Sequence, residues 1–210
     1  MAMILAACAA MGLLFLASAP GALAAMSSTP QELISSALRE AKAVAEDDGL
    51  DEAAKRARFR KIVRPLLHEQ ELARLALGRH WPRHRNRMSE FIPLFTELLE
   101  VRTITRHILE EARGAAIYVS PAKVDGLTAT VPVLIRTRDG KEIPVEFRMV
   151  ESGGGWLAYD LSIAGVSLIS NYRAQFNKIL SRDGATFDGL LKKIRERISR
   201  ELERPTKAER

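Results

Sequence analysis

The side chains best suited to acid–base, nucleophilic or metal chemistry in this chain are few. There are four histidines, at positions 68, 80, 84 and 107, and one cysteine, Cys8. His80 and His84 are four apart, the spacing of two ligands on one helix face, but Pro82 lies between them. No carboxylate or cysteine nearby completes a ligand set, so neither a metal nor a cofactor is expected. Gly165-Val166-Ser167 begins like a nucleophile elbow, yet Ile169 stands where G-x-S-x-G needs its second glycine. The histidines lie in or beside helical patterns without placed serine and aspartate partners. Asp160, after Tyr159, has two readings: a general base, or a carboxylate that satisfies backbone donors at a strand end. No P-loop and no G-x-G-x-x-G occurs, so nucleotide binding has no motif here.

The densest charge is RHWPRHRNRM, where Arg79, Arg83, Arg85 and Arg87 stand with His80 and His84. It reads as a solvated loop or as a contact for a partner or an anionic surface. The whole chain carries a formal charge of +6, but its 32 basic residues are interspersed with 26 acidic ones, so a mixed solvated surface accounts for the balance. Aromatic residues make up only 6% and no stacking motif is present, which makes nucleic acid a weak reading.

Residues 1–26 contain no charged side chain. The apolar run 3–17, broken by Pro20-Gly21 and followed by Ala22-Leu23-Ala24, reads as a signal peptide over residues 1–25. It lacks the usual Lys or Arg at its start. Pro20 and Gly21 cut the run short of the roughly 20 residues a membrane span needs. Leu5-Ala6-Ala7-Cys8 has its apolar core after the cysteine rather than before it, so lipidation is not expected. Cleavage would leave a mature chain, 26–205, with no cysteine, stabilised by packing alone, and a loose tail at 206–210.

The elements that position these residues follow from periodicity. Thr29-Pro30-Gln31-Glu32 is a capping box opening a helix with the stripe Leu33, Ile34, Ala37, Leu38, Ala41, Val44 and Ala45. Asp51 can cap a second helix, which Pro65 should kink or break, and a short helix covers 69–77 before Gly78. The longest helix is expected from 86 or 89 to 113, with Phe91, Leu94, Phe95, Leu98, Val101, Ile104 and Ile108 on one stripe. The period then drops to two, with strands at 116–119 and 124–137. Around Arg138-Asp139-Gly140, a three-residue loop with Gly140 left-handed pairs Ile135 with Ile143, Val133 with Val145, Val131 with Phe147 and Ala129 with Met149. That register makes one face wholly apolar, and a slip of one residue would put it in water. Gly153-Gly154-Gly155 makes the next turn.

The chain is organised around residues 156–180, WLAYDLSIAGVSLISNYRAQFNKIL. Alternation from Trp156 to Ile163 marks a strand; Gly165 breaks it, and from Leu168 the spacing becomes that of a helix with Ser167 at the N-cap. A last helix, capped by Thr186 or Asp188, carries Leu190, Leu191, Ile194, Ile198 and Leu202. The order of helices, antiparallel meander and helices gives an α+β fold: a curved sheet over about 115–164, packed against a helical part over about 29–113 and 167–203.

W-x-x-Y-D followed by G-V-S-L-x-x-N-Y-R-x-Q-F resembles the signature of the MlaC, or toluene-tolerance, family. Leu77-Gly78-Arg79-His80-Trp81 is similar to that family's L-G-x-x-W, and Phe91…Leu94-Phe95…Leu98-Leu99 to its F-x-x-L-F-x-x-L-L. Departures are Ile104 in place of a tyrosine, Glu69 in place of an aspartate, and the basic segment 82–88. The resemblance implies a twisted sheet and helical subdomain enclosing a deep apolar cavity. It also implies a periplasmic, monomeric phospholipid carrier, not an enzyme, between an outer-membrane lipoprotein component and an inner-membrane ABC lipid transporter with its receiving domain. Bound phospholipid would be cargo. One wall of the cavity is expected from Val131, Val133, Ile135, Ile143, Val145 and Phe147. The other is expected from Leu94, Leu98 and Val101, with Leu168 and Tyr172. Arg173 either ties the last strand to its helix or approaches a lipid phosphate. Alternatives are a hopanoid-like cargo, or an exported hydrolase using Asp160 with a histidine or arginine in a cleft.

Overall fold

The computed structural model describes residues 28–103 and 113–203. The leader, Cys8, Ile104, His107, Ile108 and the tail lie outside the described residues.

Helix α1 spans Pro30–Glu46, and both halves of its capping box are formed: Thr29 Oγ1 accepts the Glu32 N–H at 3.2 Å, and Glu32 accepts the Thr29 N–H at 2.9 Å. Helix α2, Glu52–Val63, starts at Asp51, whose carboxylate accepts the Ala54 N–H. Pro65 has no N–H to continue the ladder, and the chain passes into a 3-10 turn over Arg64–Leu66. Helix α3 spans Glu69–Leu77. Helix α4 is described over Met88–Thr103, with Pro93 inside it on an exposed face. The segment before α4, read as a loop, is instead wound into short 3-10 helices, Gly78–His80 and Pro82–Arg87.

The six-stranded sheet is antiparallel, in the order β1-β3-β4-β5-β6, with β2 also on β3. Strands β1 (Ala116–Val119) and β2 (Lys123–Asp125) share one edge of β3 (Thr128–Arg136). The single strand expected over 124–137 is therefore two strands, divided at a turn where Gly126 has φ 55°. Strand β4 (Glu142–Ser152) pairs with β3 in the apolar-face register: Ile135 with Ile143, Val133 with Val145, Val131 with Phe147, and Ala129 with Met149. Gly140 adopts φ 83°, as the three-residue loop demands.

Strand β5 (Gly155–Ile163) carries a β-bulge. Arg148 faces Asp160, but Met149 faces Ala158, so Tyr159 has no opposite residue. The bulge switches phase, placing Trp156 and Ala158 against the same apolar cluster as Leu161. A tight turn at Ala164 and Gly165, both with positive φ, adds a short strand β6 (Val166–Ser167) before helix α5 (Leu168–Leu180). Helix α6 spans Phe187–Leu202 and is capped by Thr186.

Two large apolar clusters result. One lies on the sheet: Ala129, Val131, Val133, Val145, Met149 and Ala158 are buried with Ile34 of α1. The other lies among α3, α4, α5 and α6, around Leu77, Phe91, Phe95, Leu98, Tyr172, Phe176 and Leu190. Among the described residues no helix is long and apolar enough to cross a membrane.

Candidate functional site

Three places hold the residues singled out by sequence: the two apolar walls, the junction of β5 with α5, and the basic segment.

Of the sheet wall, Val131, Val133 and Val145 are buried, and Ile135, Ile143 and Phe147 are half-buried beside them. Period-two alternation on paired strands puts all six on one face, and α1 packs across it through Ile34, Leu33 and Leu38. Of the helical wall, Leu98 and Tyr172 are buried, with Leu94, Val101 and Leu168 half-buried around them. Tyr172 meets Phe95 edge-on at 5.2 Å, and Phe95 stacks with Phe91 at 5.5 Å. Each wall is thus assembled within itself, but the two fall in separate clusters.

At the β5–α5 junction, Asp160 is buried and fully engaged. Its Oδ1 accepts the N–H groups of Leu161 (2.9 Å) and Ile169 (3.1 Å), and its Oδ2 accepts the Ser167 hydroxyl at 2.6 Å. Ser167 Oγ in turn accepts the Ser170 N–H at 3.0 Å, capping α5. Of the two readings of Asp160, the geometry is that of a carboxylate holding backbone donors at a strand end. Arg173 hydrogen-bonds Ser170 on its own helix at 3.4 Å and lies across Gly78 at the end of α3, where a Cβ would stand 3.1 Å from Arg173 Cδ.

The three described histidines have different partners. His68 caps α3, its Nδ1 accepting the Glu71 N–H at 3.3 Å, while its own N–H donates to the Ala158 carbonyl of β5. His80 Nε2 meets Asn177 Oδ1 at 3.0 Å. His84 stacks on Phe187 at 4.2 Å, and burial followed by the nearby cations His80, Arg83 and Arg87 holds its pKa below the ordinary histidine value. Among the described residues there is no group of three or more His, Cys, Asp or Glu able to hold a metal ion.

The four arginines of the basic segment divide by partner. Arg79 donates to Ser181 Oγ at 2.7 Å. Arg87 pairs with Glu90 at 2.6 Å and Asp188 at 2.8 Å, which raises its pKa and fastens the start of α4 to α6. Arg83 and Arg85 are exposed and make no ion pair among the described residues.

One group went unnoticed in the sequence. A cleft of about 240 Å³ lies between α2, α4 and α6, lined by Ala53, Arg56, Ala57 and Arg60, by Glu100 and Val101, and by Glu201 and Leu202. Burial raises the pKa of Glu100, opposed by Arg60 and Arg64. The available signal was an acid amid apolar neighbours, Leu98-Leu99-Glu100-Val101, facing an α2 that has no continuous apolar stripe.

Comparison with known proteins places these features. A toluene tolerance protein, ttg2D, of Pseudomonas putida is 30% identical over 81 residues, 38% of either chain. A phospholipid-binding protein from Ralstonia solanacearum, solved in complex with a phospholipid, superposes with a TM-score of 0.72 at 21% identity, over 84% of this chain and all of that one. The family model described as MlaC protein matches residues 31–196, a span that holds the sheet, both apolar walls and most of α6. With that match covering most of its length, the chain belongs to the MlaC family.

Proposed function

We propose that this protein is a periplasmic carrier that holds a phospholipid by its acyl chains and passes it between outer-membrane and inner-membrane components of an ABC-type transport system. The observation that carries this reading is the likeness in fold to a protein solved with a phospholipid bound, over 84% of this chain. The domain assignment follows: a cleaved leader over 1–25, a lipid-binding domain over 26–205, and a tail over 206–210.

The physical requirement is to hide hydrocarbon. Each buried methylene is worth about 0.8 kcal/mol, so two ordinary chains represent roughly 20–25 kcal/mol of apolar transfer. Such a carrier needs apolar walls, and Val131, Val133, Ile135, Ile143, Val145 and Phe147 supply one. Leu94, Leu98, Val101, Leu168 and Tyr172 supply the other. Exchange with a membrane is then near balance, because lipid tails leave one apolar medium for another. Direction must come from an ATP-hydrolysing partner, since the chain itself has no nucleotide motif. Arg83 and Arg85 are the cations open to an anionic membrane or partner surface, with Arg79 and Arg87 shaping the segment from within.

The test is incubation of delipidated protein with labelled phospholipid, followed by mass spectrometry of what stays bound. Intact two-chain lipid at one molecule per protein is the expected result. Release of fatty acid would instead support the exported hydrolase, and capture of a hopanoid from host membranes in place of phospholipid would change the cargo.

A further inference from the structure

The cleft between α2, α4 and α6 is lined mostly by polar and small residues, and its opening follows from α2. Ala53, Arg56, Ala57 and Arg60 share one helix face, and the two alanines leave space where larger side chains would fill it. Opposite them stands Glu100, only 3% exposed. Its Oε2 receives Arg60 Nε at 2.7 Å, but its Oε1 is buried without a hydrogen-bond partner, the nearest cation, Arg64, being 3.9 Å away. A buried carboxylate oxygen in this state lacks a donor that its surroundings do not supply. Arg56, one turn before Arg60, makes no ion pair among the described residues. Beside the carboxylate of Glu201, the cleft therefore presents a guanidinium that makes no ion pair among the described residues and, from the facing helix, an acceptor without a donor. Val101 lines the same cleft and also packs against the helical apolar cluster, so this polar site adjoins an apolar wall.

We infer that the cleft reads a zwitterionic aminoalkyl phosphate head group, its phosphate against Arg56 and its primary ammonium against Glu100. A guanidinium fork matches two phosphate oxygens, and an ammonium brings three donors to the carboxylate. An ethanolamine link keeps the two charges within one small head group, so both can enter the one cleft that Arg56 and Glu100 line. A glycerol head group offers only neutral hydroxyl donors to Oε1 of Glu100, a weaker match than a charged ammonium. This inference rests on the reading of the chain as a phospholipid carrier and adds a preference among head groups to it.

The full mature chain, delipidated, is incubated with vesicles of equal phosphatidylethanolamine and phosphatidylglycerol with matched acyl chains, and bound lipid is extracted and counted by class. The expected result is an excess of phosphatidylethanolamine of about fivefold, as one partly buried charge pair gives. Glu100→Gln brings that ratio toward one, while Arg56→Ala, which touches only the phosphate that both lipids share, lowers the bound load of both alike. Arg56 is exposed, so its variant folds even if Glu100→Gln does not. In a second arm, soluble glycerophosphoethanolamine is titrated while amide NMR signals of residues 53–60 and 100–101 are followed. Shifts there identify the head group as sufficient; a vesicle preference without such shifts identifies the whole lipid as the ligand. A wild-type ratio of one with a normal lipid load overturns the inference and leaves the carrier standing. A fivefold ratio that survives Glu100→Gln in a folded variant, or a lipid load unchanged by Arg56→Ala, also overturns it. Uptake of neither lipid overturns both.

Discussion

Gly78 and Arg173, 95 positions apart in the chain, are in contact: a Cβ on Gly78 would lie 3.1 Å from Arg173 Cδ. One belongs to the L-G-x-x-W segment and the other to N-Y-R, so the two stretches that carried the family resemblance meet in space. Gly78 also has φ 52°, where an L side chain is strained. Gly78→Ala is expected to destabilise by more than about 1 kcal/mol from backbone conformation and crowding together. Adding Arg173→Ala should recover only the crowding part. Denaturant unfolding of the two single variants and the double variant measures both; no loss in Gly78→Ala would show that this end of α3 is free to change.

Removing the carboxylate at Asp160 strands the buried Ile169 N–H and the half-buried Leu161 N–H and Ser167 hydroxyl. Asp160→Ala should destabilise by about 2–4 kcal/mol, and Asp160→Asn by less, because one acceptor oxygen remains. Thermal melting of the two variants gives the order directly.

Gly140→Val forces a β-branched residue into φ 83°, although nothing crowds the site. The loss should exceed about 1 kcal/mol, a fall of at least about 2–4 °C in Tm for a domain of this size. An unchanged midpoint would count against the hairpin loop as the source of the register.

Val133→Trp and Val145→Trp crowd the sheet wall, where both valines are buried. Overpacking costs about 1–3 kcal/mol, so the variants should fold by circular dichroism yet purify without lipid. A normal load of two-chain lipid would move the tail site off the sheet face.

Arg83→Ala with Arg85→Ala should weaken docking to anionic vesicles or to the transporter, and the wild-type interaction should itself fade as salt shortens the screening length to about 8 Å at physiological strength. Arg79→Ala and Arg87→Ala act differently: they break contacts to Ser181, Glu90 and Asp188, so their first effect is on stability. Co-sedimentation across a salt series, beside thermal melts, separates the two classes.

His84 has its pKa depressed in the fold, chiefly by burial. The unfolded chain then binds the proton more readily, so this contribution to stability is complete above the ordinary histidine value of about 6.5 and is lost as pH falls below it toward the depressed value. His84→Phe keeps a ring against Phe187 and should flatten that part of the pH–stability curve.

Much of this architecture was legible because local signals agreed with tertiary ones. Thr29 with Glu32, Asp51, Ser167 and Thr186 each cap the helix their position announced. The pairing of Val133 with Val145 could be read because only one register makes an apolar face. What escaped depended on contacts distant in sequence. Nothing near Arg87 says that it pairs with Asp188, and nothing near Arg173 says that it covers Gly78. The walls were legible as apolar faces, but their division into two clusters depends on how α1 crosses the sheet. Glu100 was hidden because its partners, Arg60 and Arg64, come from another helix.

The unpaired Tyr159 has a consequence for how this chain can change in length. On either side of it the ladder with β4 is intact: Met149 faces Ala158 before it and Arg148 faces Asp160 after it. Losing that one residue would close the gap and leave each flanking residue opposite its present neighbour, so Trp156 and Ala158 would stay inward and Asp160 would still reach Ile169. The same deletion elsewhere in β5 would turn part of the strand inside out. Within β5, position 159 is thus where a one-residue difference in length between relatives can be absorbed, at the expense of a bend rather than a core.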